Sequence, residues 1–250
     1  ESWLHELARR LYATSRFSRA STSVPVGRRL RAVDATTVEE PGATGTDWRV
    51  HFSISLPELR CDFYELTDVR GGETYLRVPI TPGDIILGDR GYGYREGVAH
   101  VVAHGGDVIV RLSSTNFPML VPGGNKPFDL LRNMRRLKHC RSAEWAVQFQ
   151  AADRRWDARL CAVRKSATAA EQARKRLRQT AIRKGQQVRP ETYEFAEYVM
   201  VLTTLGREVL NAREVLELYR ARWQIELCFK RCKSLLRLGH LPKRSDASAR

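Results

Sequence analysis

Gly83-Asp-Ile-Ile-Leu-Gly-Asp89 is a short apolar run closed by Gly-Asp, and its reading decides the fold. A run of this length, without polar alternation, suits a buried strand of an α/β sheet rather than a surface strand or a helix. Upstream lie three strand-like runs: Arg29-Leu-Arg-Ala-Val-Asp34-Ala-Thr-Thr-Val38, Trp48-Arg-Val-His-Phe-Ser-Ile-Ser-Leu56 and Cys61-Asp-Phe-Tyr-Glu-Leu-Thr67. In the second, Trp48, Val50, Phe52, Ile54 and Leu56 alternate onto one face,. Turns rich in Gly, Pro and Asp separate the runs, which suits an antiparallel meander. Residues 71–80 read as a connector with a helical turn, Tyr92 to His104 as a helix closed by Gly105-Gly106, and Asp107-Val-Ile-Val-Arg-Leu112 as a fifth strand.

Three antiparallel runs, a connector, a strand, a helix and a strand predict an α/β fold with a mixed sheet and a ribonuclease H-like core. The pattern then changes. Residues 114–195 hold two strand candidates, Trp145–Gln150 and Trp156–Val163, and a very basic helix over Ala167–Lys184. Tyr198-Val-Met-Val-Leu-Thr-Thr204 returns to strand character, and a long helix follows from Ala212 to Leu238, with Asn211 and Glu214 at capping-box spacing and Gly239 to end it,. The expected organisation is therefore an N-terminal helix and linker (1–24), the first part of the core (25–113), an inserted β-rich basic subdomain (114–195) and completion of the core by the last helix (196–250). The start at Glu1 and the stop after Asp246-Ala-Ser-Ala-Arg250 lead us to expect a fragment of a longer protein.

The 250 residues are 42% hydrophobic, enough for a substantial core,. Lys and Arg number 43 against 28 acids, a net charge of +15, which points to a polyanion partner, nucleic acid first among them,. Five cysteines, with no CxxC pair, argue against a disulfide framework and for a reducing compartment; Cys228 and Cys232, one helical turn apart, read as packing residues,. No apolar run approaches the roughly 20 residues of a membrane span.

Two aspartates stand out. Asp34 lies within a strand, where Asp is depleted, followed by the β-branched Thr36, Thr37 and Val38,. Such a residue needs a partner: a divalent metal, or the hydrogen bonds of an edge strand. Asp89 ends the buried strand, where α/β sheets gather functional side chains, although a plain strand-to-turn Asp with Gly91 making the turn fits equally. In the last helix Tyr219, Arg222, Glu226 and Lys233 fall within roughly 60° of one another, beside an apolar stripe of Leu218, Ile225, Phe229, Cys232 and Leu236,. Glu226 is the only acid after Glu217 in this helix, among Arg220, Arg222, Lys230, Arg231, Lys233 and Arg237. A carboxylate in a cationic field suits a site that binds metal and phosphate together; a solvated face with ordinary salt bridges is the alternative.

The spacing Tyr219-x2-Arg222-x3-Glu226-x6-Lys233 resembles the signature of the DDE transposases of bacterial insertion sequences, the insertion-sequence-4 family, with every position matched. Val33-Asp-Ala-Thr and Gly88-Asp-Arg-Gly-Tyr look like the family's other two acidic motifs, and the order of the elements agrees over about residues 25–242. The resemblance implies a catalytic, metal-binding triad of Asp34, Asp89 and Glu226 with two Mg²⁺ ions, for which Mn²⁺ can substitute. It also implies phosphate contacts from Tyr219, Arg222 and Lys233, with Arg90 a further DNA contact. The implied activity is metal-dependent strand cleavage at transposon ends followed by strand transfer. The implied partners are double-stranded DNA, as terminal inverted repeats and target, and a second copy of the chain in a homodimeric synaptic complex; the implied location is the bacterial cytoplasm, at the nucleoid.

Two other readings remain open: a plain ribonuclease H-like metal-dependent nuclease, and a truncated, inactive DNA-binding relic. The basic segment Arg174-Lys-Arg-Leu-Arg178 fits either a track along the DNA backbone or a solvated helix,. His100 and His104 stand one turn apart as zinc ligands can, but nothing nearby suggests a third ligand, and His near a helix C-terminus is favourable in itself,.

Overall fold

The computed structural model describes residues 24–39, 48–56, 58–114 and 116–235. The predicted N-terminal helix lies outside them. Strands β1 (Arg29–Val38), β2 (Trp48–Leu56), β3 (Arg60–Asp68), β4 (Asp84–Gly88), β5 (Asp107–Arg111), β6 (Ser142–Ala151), β7 (Arg154–Arg164) and β8 (Tyr198–Thr203) form a single sheet in the order β3-β2-β1-β4-β5-β8-β7-β6. The first three strands are antiparallel, while β4 and β5 run parallel to β1. This is the ribonuclease H-like arrangement of an α/β core. Strands β6 and β7 are a hairpin, and β7 pairs with β8, so the strands of the 114–195 block extend the core sheet instead of forming one of their own.

Every residue of β4 is buried, as its unbroken apolar run requires. Its side chains alternate between two cores. On one face Leu30, Ala32, Ile85, Leu87 and Ile109 meet the C-terminal helices; on the other Val33, Ile86, Val108 and Val110 meet Val98 and Val101 of helix α1 (Arg95–Ala103). The helix expected from Tyr92 starts later, because Asp89 caps a 3-10 turn over Arg90–Tyr92 and an extended Tyr94 precedes α1. Strand β2 departs from simple alternation. Its polar face is buried as well, with His51, Ser53 and Ser55 under 10% exposed, and its register with β3 shifts between Ser53 and Ile54.

An ion network fixes how β1 lies on β4. Arg31, only 2% exposed, hydrogen-bonds Asp62 of β3 at 2.7 Å, Asp84 of β4 at 3.0 Å and the Pro79 carbonyl at 2.7 Å. Arg29 grips Asp84 through two nitrogens, at 2.7 and 3.0 Å. Burial would push the Asp84 carboxyl up; the hydrogen bonds from Arg29 and the Thr81 amide and the charge of Arg31 outweigh it and hold the group below the usual carboxylate range. This network sits at the amino end of the parallel strands and sets the level at which their carboxyl ends emerge.

The basic segment forms α3 (Ala167–Arg183), after the short α2 (Leu130–Arg135) and before α4 (Pro190–Phe195). Arg174 pairs with Glu197 at 2.7 Å, while Lys175, Arg176 and Arg178 are exposed. The long C-terminal helix is divided: α5 (Ala212–Tyr219), a 3-10 turn (Arg220–Arg222) and α6 (Trp223–Leu235). Val215, Leu218, Ala221, Ile225 and Phe229 are buried against the sheet; Cys232 is half-buried, and Leu236 and Gly239 lie outside the described residues. The Asn211 side chain accepts from the amides of Arg213 (3.0 Å) and Glu214 (3.1 Å), and Glu214 accepts from the Asn211 amide at 2.8 Å, a complete capping box. Asn211→Ala removes that cap and is expected to cost about 1 kcal/mol, read as a lowered denaturation midpoint at unchanged slope. Among the described residues no helix is long and apolar enough to cross a membrane.

Candidate active site

The parallel pairing of β1 with β4 runs from Arg29–Asp84 to Ala32–Leu87. Two residues further on, strand alternation brings Asp34 level with Asp89, on the face covered by α5 and α6. Both acids thus stand at the carboxyl edge of adjacent parallel strands. Asp34 Oδ1 accepts from the Ala35 amide at 2.8 Å. Asp89 Oδ1 accepts from the Gly91 amide at 2.7 Å and caps the turn that carries Arg90.

Two glycines shape this edge. A Cβ on Gly88 would lie 2.1 Å from the Tyr75 hydroxyl, so only glycine lets that buried ring pass beneath the Asp89 turn. A Cβ on Gly91 would meet Glu73 Oε2 at 1.8 Å and Asp89 Oδ1 at 3.0 Å, so the Glu73 and Asp89 carboxylates flank one point. Glu73 is a further acid at the site that sequence reasoning missed. It sits in the β3–β4 connector, just ahead of the Thr74-capped 3-10 turn, where no periodicity marks it.

Helices α5 and α6 and the turn between them deliver the remaining groups. Phe229 packs on Phe52, the β2 partner of Asp34, with ring centroids 5.5 Å apart. This seats the preceding turn over Asp34. Arg222 stands between two carboxylates: Nη1 lies 3.7 Å from Asp34 Oδ2, and Nη2 donates to Glu226 Oε1. Its guanidinium is 5.9 Å from the centre of the Tyr219 ring. Tyr219 is largely buried with an unpartnered hydroxyl, Arg90 is exposed, and Lys233 is exposed two turns beyond Glu226. The structure therefore gathers Asp34, Asp89, Glu73, Tyr219, Arg222 and Glu226, with Arg90 on the rim and Lys233 further along the helix.

The electrostatics are those of acids short of positive charge. Burial pushes Asp34 up to about 7; the Ala35 amide opposes, Asp89 pushes it further, Arg222 pulls it back and Glu73 adds to the rise. Glu73 is raised by burial and then by Asp89. Among the described residues no three His, Cys, Asp or Glu side chains close on a common point that could hold an ion. Glu226 reaches Asp34 only through the Arg222 guanidinium, which takes the place of a cation between them. The donor set is nonetheless carboxylate oxygens alone, which suits a hard divalent ion rather than zinc.

The other sequence candidates lie apart. His104 Nδ1 donates to the His100 carbonyl at 2.8 Å, and the two ring centres lie 4.3 Å apart with the planes tilted by 46°. All five cysteines are free, as expected of a chain without a disulfide framework.

Residues 66–250 match the family described as Transposase DDE domain. Among curated proteins the chain is 36% identical, over 228 residues, to the putative transposase InsL for insertion sequence element IS186A of Escherichia coli (strain K12), covering 89% of this chain and 61% of that protein. It is equally similar to the transposase for insertion sequence element IS421 of Escherichia coli, 36% identical over the same share of each. The chain thus spans 61% of the length of these relatives. Among solved structures the catalytic domain of human Endonuclease V aligns over 95% of this chain and 99% of that one, at 14% identity and a TM-score of 0.39, too loose a likeness to bear on the site. With the match to the family spanning most of its length and the acidic motifs at the carboxyl edge of the sheet, the chain belongs to the DDE transposases, the kinship to insertion-sequence transposases fitting the insertion-sequence-4 family.

Proposed function

We propose that this chain is the catalytic region of a DNA transposase that cuts DNA at transposon ends and transfers the freed 3′ ends to target DNA. One observation carries the reading: Asp34 and Asp89 emerge level on adjacent parallel strands, and the Arg222–Glu226 pair closes over Asp34. DDE transposases depend on divalent metal. Here Asp34, Asp89 and Glu226 are the proposed ligands of two Mg²⁺ or Mn²⁺ ions, which when bound supply Lewis acidity and lower the pKa of attacking water.

The chain's own residues do the rest. A phosphodiester entering the site offers the Arg222 guanidinium an anion to grip bidentately, which frees Asp34 and Glu226 from it. Tyr219, Lys233 and Arg90 contact the same strand. Water attacks phosphorus in line and the 3′-oxygen leaves with a proton as a hydroxyl. That hydroxyl then attacks a target phosphodiester, displacing its 3′-oxygen and joining the strands. The DNA is proposed to be the terminal inverted repeats and the target duplex, handled by a homodimer in the bacterial cytoplasm at the nucleoid.

The test is cleavage of supercoiled plasmid in Mg²⁺, with joining of a labelled duplex end followed in the same reactions. Nicked plasmid and joined product, both lost in EDTA, are expected. Nicking without joining would replace the transposase with a plain nuclease, and binding without nicking would leave a DNA-binding relic.

A further inference from the structure

Strand register brings one more cation to the acids. Gly88 of β4 pairs with Val110 of β5, so the next residues, Asp89 and Arg111, leave the sheet side by side. Ile109, two residues before Arg111, packs in the core beneath α5 and α6, and alternation puts Arg111 on that same face with Asp34 and Asp89,. The turn that carries Arg90 is packed on the same strand end: a Cβ on Gly93 would lie 3.2 Å from the Arg111 carbonyl.

These groups are left unsatisfied. Among the described residues, Arg111 Nε and the Tyr219 hydroxyl are both buried without a hydrogen-bond partner. Burial pushes the Tyr219 phenol up, against the pull of Arg222 and Arg111. Lys165, half-buried just past β7, does have a partner, its Nζ donating to the Ala196 carbonyl, yet it is pushed down to about 8 by burial and then by Arg111, Arg90 and Arg176, with Glu197 opposing. Buried donors without partners and crowded cations are both costly, and chains retain them where a ligand completes them. Water could satisfy Arg111 Nε but would leave the crowding of positive charge. An anion answers both.

We propose that Arg111, Tyr219 and Arg90 form a phosphate-binding subsite beside the acids that holds a backbone phosphate of the DNA strand next to the one being cut. A single strand can then present one phosphate to the acids and a neighbouring one to Arg111, which fixes its direction across the sheet edge. The subsite rests on the reading of the acids as a DNA-processing centre. It adds Arg111 to the groups that grip the substrate.

The experiment uses the whole chain, a random-sequence duplex of about 30 base pairs and sodium pyrophosphate as a free anion. In Arg111→Gln, duplex affinity at low salt is expected to fall roughly tenfold, and the slope of log K against log salt to shrink by about one, as for loss of one phosphate contact. Without DNA, Arg111→Leu is expected to melt at or above the wild-type temperature, because it removes an unpartnered buried cation; a structural arginine would lower it. Unchanged affinity and slope in Arg111→Gln, or a lowered melting temperature in Arg111→Leu, would overturn the subsite. Pyrophosphate that protects wild type as well as the duplex does, at equal phosphate, would overturn its assignment to the DNA backbone. Wild-type binding with no salt dependence would sink the DNA reading itself, a result distinct from failure of Arg111 alone.

Discussion

Glu226→Gln is expected to lower Mg²⁺-dependent plasmid cleavage by about 10³-fold or more, a loss of about 4 kcal/mol of transition-state stabilisation, while duplex affinity stays within about twofold. Glutamine keeps the length of the side chain and an oxygen to accept from Arg222, so the contact that seats the turn over Asp34 survives. What it removes is the negative charge, and a neutral amide is a poor ligand for a hard divalent ion. The side chain is 35% exposed and lies outside the packed stripe of Ile225 and Phe229, so the fold has little stake in it. Asp89→Asn should give the same loss through the other side of the site. The measurement is the initial rate of nicking by each purified variant, with circular dichroism to check folding. Cleavage by Glu226→Gln at the wild-type rate would remove Glu226 from the metal site and with it the triad.

Much of this arrangement can be read from local patterns. The buried run before Asp89, the alternating strand of Trp48–Leu56 and the capping box at Asn211 each announce their elements, because the cause lies within a few residues. What escapes is set by distant partners. Alternation marks β6 and β7 as strands but does not say that β7 pairs with β8, so a continuous eight-stranded sheet reads as a core plus an insertion. Residues 220–222 contain no helix breaker, so the 3-10 turn between α5 and α6 is invisible, and a helical wheel drawn from Tyr219 to Lys233 assumes a phase the chain does not keep. The Arg222–Glu226 contact survives because it spans a single turn; Lys233, further on, ends up exposed. Glu73 and Arg111 escape for a related reason. An acid in a connector and an arginine ending a strand read as solvent-facing, and only the packing of Gly91 and the register of β4 with β5 bring them to the acids.

Asp34→Asn is expected to stabilise the metal-free protein at pH 8 and to do nothing for it below about pH 4. The sign follows from linkage. Burial raises the folded-state Asp34 carboxyl from 3.8 to about 7, so the folded chain holds a proton that the unfolded chain gives up,. The favourable contribution of the protonated group is therefore fully present below the unfolded value and is lost as pH rises through about 7. Above that, folding must bury an ionised carboxylate beside Asp89, and the Ala35 amide and the Arg222 guanidinium, 3.7 Å away, offset only part of the cost. Asparagine carries no charge at any pH and still accepts from the Ala35 amide. The gain at pH 8 is on the order of 2–4 kcal/mol, since each unit of displacement is worth about 1.4 kcal/mol and the site relaxes in part. Denaturant melts of both proteins in EDTA from pH 4 to 8.5 would show the curves meeting at the acid end and parting as pH rises. A divalent ion should reverse the order. It favours the ionised carboxylate, so millimolar Mn²⁺ should stabilise wild type in proportion to the logarithm of its concentration and leave Asp34→Asn unmoved. Curves that stay parallel across pH would mean that Asp34 titrates as an ordinary surface acid. Equal Mn²⁺ protection of both proteins would place the metal elsewhere. The charge that makes Asp34 costly to the metal-free fold is the charge with which it is proposed to hold a cation.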